Sequence, residues 1–180
     1  MQRTFYFLIV GSIALVWLGH RMRLAMEKLM TGHPGDHALD MRFLGYSTEV
    51  VKLYMERLGP ERRKFYLQTQ TRVELGFIVA YGIAGAAGGI WLSALIYNQN
   101  WTLVSWVPFV GGLLVASAAV VDLDEAQAIR KLLKSWPKID DASVNRASRA
   151  TRLKWLILLA GVALVLAGAG LAIIAKLKSL

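Results

Sequence analysis

Four carboxylates stand at the edges of long apolar stretches: Glu74 just before one, and Asp122, Asp124 and Glu125 just after another. Gathered at one end of a helix pair, such groups could bind a divalent cation or relay a proton. The commoner outcome is a solvated ion-pair network at the membrane interface, here with Arg72 and Arg130 as the nearby cations. His33 and His37, with Asp36 and Asp40, form a second candidate set. Pro34 and Gly35 between the two histidines break the helical spacing that would converge them on a metal, so a polar turn is expected there instead. His20 lies at the edge of the first apolar stretch, where an imidazole could ligate a haem or chlorophyll; a plain interfacial histidine is the alternative. Ser12, Ser93, Ser105 and Ser117 sit inside apolar stretches with no basic partner in the same stretch, and serines so placed commonly bond to their own helix backbone. The chain has no cysteine, which removes disulfides, thiolate catalysis and Cys-based metal sites together. The expectation is therefore no cofactor and no metal, and an enzymatic role is disfavoured.

The elements that must position these residues are hydrophobic. Of 180 residues 56% are hydrophobic and 18% charged, with a mean hydropathy of +0.44, whereas a soluble domain carries about 25% charged residues. Four blocks hold no Asp, Glu, Lys, Arg or His: residues 4–19, 75–97, 101–121 and 155–175. The last three contain 23, 21 and 21 residues, enough to cross a hydrocarbon core of about 30 Å as helices. The first, at 16 residues, rises about 24 Å, and Arg21 and Arg23 can snorkel to extend it. A secretory signal peptide competes for that block. Because His20-Arg21-Met22-Arg23 closes it where a small-residue cleavage site would stand, an uncleaved anchor is expected. Only Asn98-Gln99-Asn100 separates the second and third blocks, which predicts an antiparallel hairpin.

The chain is thus expected to be an all-α, integral membrane four-helix bundle forming a single membrane domain over residues 1–180. Loops 20–74 and 122–154 carry eighteen of the 21 basic residues, which places both in the cytoplasm and both termini outside. The net charge of +9 is accounted for by that asymmetry, so nucleic acid is not expected as a partner. Within loop 20–74, Ser47 or Thr48 is expected to cap a short helix with Val50, Val51, Tyr54 and Leu58 on one face. Gly59 ends it, Pro60 opens the next, and a cytoplasmic helix-turn-helix between spans 1 and 2 results. It is expected to lie at the membrane surface, with Tyr46, Tyr54, Phe65 and Tyr66 at headgroup depth and Arg62, Arg63 and Lys64 facing anionic phospholipid. The third helix should continue past Asp122 until Pro137 stops it.

Small residues recur at helical spacing in three spans. Gly76, Ala80, Ala84 and Gly88 line the second, with Gly85 and Gly89 beside them; Gly112 and Ala116 mark the third; Ala163, Ala167 and Gly170 mark the fourth, with Gly168 and Ala172 as a second set. In lipid no hydrophobic force pairs helices, so close approach along such faces favours association, within the bundle or with a partner.

The stretch GYSTEVVKLYMERLGPERRKFYL at 45–67, Glu74 at the opening of the next span with Tyr81 seven residues on, and DLDE at 122–125 resemble a set of small four-span bacterial membrane proteins of unassigned function. The resemblance implies the four-span architecture and a bacterial inner-membrane location. The chain departs from the set in lacking a proline in the second span and in having Ala126 after Glu125 where the set tends to have Asn. With no charged residue inside any of the four blocks to couple ion movement, the expected role is an accessory or scaffold subunit of a larger membrane complex, with other integral membrane proteins as partners. A small-solute transporter or channel is the first alternative. An interfacial lipid-binding protein or enzyme using the Glu74, Asp122, Asp124 and Glu125 cluster is the second.

Overall fold

The structure, a computed structural model, describes residues 38–178 together with a few helical residues between 10 and 24. Most of the expected first span, and the His33, His37 and Asp36 turn, lie outside the described residues. Among the described residues every regular element is helical: α1 (Thr48–Phe65), α2 (Thr71–Tyr97), α3 (Trp106–Ser135) and α4 (Asp141–Lys178), with a single 3-10 turn at Leu39–Met41 and a wide π turn at Tyr66–Gln70.

Three of these helices are long and apolar enough to cross a membrane: Val73–Tyr97, Trp106–Ser135 and Asp141–Ile174. Their lengths exceed what crossing requires. The 38 residues of α4 rise about 57 Å, nearly twice a hydrocarbon thickness of about 30 Å. Segment 122–154 is therefore mostly helix: the continuation of the third helix past Asp122 is as expected, and the early start of the fourth is not. The third helix runs on to Ser135, and the fourth begins at Asp141, well before the apolar block at Trp155. Asp140 starts α4, its carboxylate accepting from the Ser143 amide at 2.7 Å, the bond that satisfies an otherwise orphaned first-turn donor.

Ser47 caps α1 by accepting from the Val50 amide at 3.5 Å. Val51, Tyr54, Met55 and Leu58 are its buried face, the i, i+3, i+4, i+7 pattern of an amphipathic helix. At Gly59 the backbone turns to φ 69° and ψ 169°, a conformation that an L side chain resists and glycine accepts. Helix resumes at Pro60 and continues through the π turn to Tyr97.

The chain divides into two compact units. One comprises residues 1–16, 79–119 and 156–180. In it α2 and α3 pack antiparallel. A Cβ added at Gly82 would meet Ala119, one at Gly85 would meet Val115, and one at Gly89 would stand 2.7 Å from the Gly112 Cα. Gly111 and Gly161 bring α3 and α4 together in the same way, each close to the other's main-chain oxygen.

The other unit comprises residues 17–78 and 120–155 and has its own apolar core. Leu39, Val51, Met55, Leu132 and Val144 are at its centre. Tyr46, Tyr54 and Tyr66 belong to that core, which corrects the expectation that they lie at headgroup depth; of that group only Phe65 is exposed. The reason is the helical hairpin of α3 and α4, which supplies a protein surface for the tyrosines where the sequence reading had no helix between Pro137 and Trp155.

Candidate functional site: a lysine held between two carboxylates

Asp122 and Glu125 are one turn apart on α3 and therefore share a face. On α4, Ser148, Thr151, Lys154 and Trp155 recur at spacings of three and four and share another. The antiparallel hairpin sets these faces together. Lys154 donates to Asp122 Oδ1 at 3.0 Å and to the main-chain oxygen of Asp40 at 3.2 Å, and it pairs with Glu125 Oε2. The ammonium thus meets three oxygens, two through hydrogen bonds and Glu125 Oε2 as an ion pair. Thr151 donates to Glu125 Oε1 at 2.5 Å, and the Tyr46 hydroxyl lies 3.5 Å from the same threonine oxygen. Trp155 Nε1 donates to the Asp40 main-chain oxygen at 3.1 Å, and the Tyr46 amide donates to Ser148 Oγ at 2.9 Å. Segment 38–46 is thereby tied to one face of α4.

The cluster is dry. Glu125 is 0% exposed, Lys154 2% and Asp122 4%. Withdrawing an ion from water costs several kcal/mol, and only close pairing with full hydrogen bonding offsets it. Burial also pushes ionisation of the Tyr46 phenol well above its ordinary range, so it remains a neutral hydroxyl beside the acids. The arrangement fixes three chain segments in one geometry.

The sequence-derived candidates are distributed as follows. Asp122 and Glu125 come together around Lys154, buried instead of solvated, while Arg130 is exposed. Asp124 points away from them and pairs with Arg146 at 2.7 Å, the two side chains being 50% and 70% exposed. Glu74 is buried within the same unit. His20 is exposed. Among the described residues, no group of three His, Asp or Glu side chains is placed to hold a metal.

Of the basic trio, Arg62 and Lys64 are exposed, whereas Arg63 turns inward. Its Nη1 donates to the Met55 carbonyl at 2.8 Å, and its guanidinium lies 5.1 Å from the Trp136 ring centroid. The break at Gly59, followed by a proline without an N–H, leaves the carbonyls at the end of the first helical segment short of donors. Arg63 supplies one.

A Cβ added at Gly89, Gly111, Gly112 or Gly161 would meet main-chain atoms of a neighbouring helix, and one at Gly82, Gly85 or Gly168 would meet side chains. Of the expected stripes, Gly112 faces α2, Ala80 is buried, and Ala84 and Ala116 are half-buried. Gly76, Gly88 and Gly170 have open space where a Cβ would point, and Ala163 and Ala167 are exposed. A strict four-residue repeat drifts around a helix of 3.6 residues per turn, so the faces in contact follow mixed spacings of three, four and seven.

Lys154, Thr151 and Tyr46 are the site residues that sequence reasoning missed. Lys154 counted only as a loop cation preceding Trp155. Its signal was the run Ser148, Thr151, Lys154, polar at three-residue spacing, which becomes readable once the helix is started at Asp141.

No known protein family matches the sequence, and neither a curated protein nor a solved structure is similar to it.

Proposed function

We propose that this chain is an accessory or scaffold subunit of a larger membrane protein complex, and that it acts by packing its helices against those of other integral membrane proteins. The observation that carries this reading is the open face of α4. Leu156 and Leu166 are 70% and 65% exposed, and Ala163, Ala167 and Gly170, also exposed, lie between and beside them. Small residues flanked by leucines allow a partner backbone to approach closely, which is how helices associate in lipid. The polar groups named above support the same reading, because they are engaged within the chain: Lys154 with Asp122 and Glu125, Asp124 with Arg146, Arg63 with Met55, and Ser117 with its own helix at Leu113.

In this reading the chain has four spans in a bacterial inner membrane. Both termini lie outside, and the 20–74 and 122–154 segments are cytoplasmic, with the two helical pieces around Gly59 as a helix-turn-helix on that side. Anionic phospholipids bind the exposed Arg62 and Lys64. Because the chain has no cysteine, single substitutions Gln99→Cys and Lys138→Cys give a direct topology test: the first is labelled from outside by an impermeant thiol reagent and the second only after lysis.

The function is tested by gentle solubilisation of native membrane, isolation on a terminal tag, and mass spectrometry of the native-gel band. The expected result is one larger membrane complex in fixed ratio. Migration alone or as a homo-oligomer overturns the subunit reading and directs attention to solute flux.

A further inference from the structure

A groove of about 660 Å³ opens between α3 and α4 within the second unit. Its walls are Val120, Val121 and Leu153, and Asp124, Arg146 and Arg149 stand along it. The two kinds of lining reflect the sequence. Val121 is the last residue of one 21-residue uncharged block, and Leu153 lies two residues before the next. The groove thus occurs where both helices change from apolar to charged, the level at which an embedded helix meets lipid headgroups.

Its charge is unbalanced. Asp124 is engaged with Arg146, whereas no described acidic residue bonds Arg149, which is exposed. After Asp141, α4 carries no Asp or Glu, yet it places Arg146, Arg149 and Arg152 three residues apart. Like charges one turn apart on a helix repel. Lys131 and Arg146 line an adjoining cleft, which extends the positive surface. An anion that reaches two of these guanidiniums relieves the repulsion, and a phosphodiester matches their planar donor geometry.

We propose that this groove binds one anionic membrane phospholipid, with its phosphodiester at Arg146 and Arg149 and an acyl chain along Val120, Val121 and Leu153. The inference deepens the lipid-binding part of the function proposed above and is independent of the subunit part. The mixed lining selects this ligand over a free anion, because a soluble phosphate leaves the valine and leucine walls in water.

The test is native mass spectrometry of the full-length chain in detergent, titrated with dioleoylphosphatidylglycerol or dioleoylphosphatidylcholine. The expected result is preferential retention of one phosphatidylglycerol. Arg149→Gln should weaken it about five-fold, the equivalent of about 1 kcal/mol per basic side chain at an anionic surface. Arg146→Gln should weaken it similarly. Because Arg146→Gln also breaks the pair with Asp124, Arg149→Gln, which breaks no described ion pair, is the decisive variant. Lys138→Gln, an exposed charge in the α3–α4 turn, should leave retention unchanged, and the soluble headgroup glycerophosphoglycerol should not compete. Equal retention of the two lipids, an unaffected Arg149→Gln, an equal loss in Lys138→Gln, or competition by the soluble headgroup would each overturn the proposal. None of these outcomes bears on whether a protein complex co-purifies.

Discussion

Helices α3 and α4 are joined by different means at two places along their length. Between Gly111 and Val115 the contact with Gly161 and Val165 is backbone on backbone: a Cβ at Gly111 would stand 2.8 Å from the Val165 amide nitrogen and 2.9 Å from the Gly161 oxygen. Between Asp122 and Glu125 the contact is ionic and buried, with Lys154 and Thr151 filling the space between the helices. The difference follows from what each surface can use. Dispersion at short range is the principal attraction open to two apolar helices in lipid, and it falls away with any added atom. The polar contact tolerates distance but not the loss of a partner, because the charge left behind has no water.

The largest effect should come from breaking the ionic contact on one side only. Lys154→Met leaves Asp122 and Glu125 buried with no cation, and a cost of about 3–5 kcal/mol is expected, as for other buried pairs deprived of one member. Unfolding followed by circular dichroism in mild detergent titrated with dodecyl sulfate would measure it. The triple variant Lys154→Met, Asp122→Asn, Glu125→Gln removes the charges together and should recover most of the loss. A triple variant as unstable as the single one would mean that shape, not charge, holds this contact.

The glycine contact gives a sharper version of the same comparison because neighbouring residues should respond with opposite sign. At Gly89 an added methyl meets main-chain atoms, Pro108 O at 2.5 Å and Gly112 Cα at 2.7 Å. Backbone cannot swing aside, so Gly89→Ala should cost about 1–3 kcal/mol. At Gly88 nothing described lies within 4 Å of the added atom, and Gly88→Ala should gain up to about 1 kcal/mol from helix propensity. Equal responses in the same unfolding assay would show that the two faces of α2 are not distinguished in this way.

These two contacts also mark how far the sequence could be read. The apolar blocks announced three membrane-length helices, and Ser47, Gly59 and Pro60 announced the start and break of α1, because caps and breakers act locally. The second compact unit was hidden, since it is assembled from segments about a hundred residues apart, Tyr46 with Ser148 and Thr48 with Asp141. Polar, charged residues in 141–154 look like loop until their helical period is tested. Small-residue stripes were visible on three helices, but which of two stripes meets a neighbour depends on helix rotation, and no local signal records that.

Arg63 sits between the two regimes, since it both caps a helix end and stacks on a ring. Arg63→Gln should lose the bond to Met55 and the contact with Trp136, about 1 kcal/mol in all. Arg63→Lys should restore little of it, because an ammonium lacks the flat face and the fork of donors. Full recovery by lysine would return this residue to the role expected from sequence, a generic surface charge.

The smallest effect concerns the exposed start of α4, the surface counterpart of the buried cluster farther along the same helix. The Asp140 carboxylate is held below its ordinary range, first by its side-chain hydrogen bond with Ser143 and then by the Ser143 amide. A lowered folded-state value means that the ionised cap favours the folded first turn. That contribution is present above the unfolded value of about 3.9 and fades as pH falls through the lower folded one. Hydrogen exchange at the Ser143 amide should therefore quicken, relative to the intrinsic rate, only below about pH 4. Asp140→Asn, which keeps an acceptor but cannot titrate, should abolish that dependence while leaving α4 formed. Unchanged acid sensitivity in the variant would transfer the effect to another carboxylate, with Asp141, bonded by Thr48 at 2.6 Å, the next to replace.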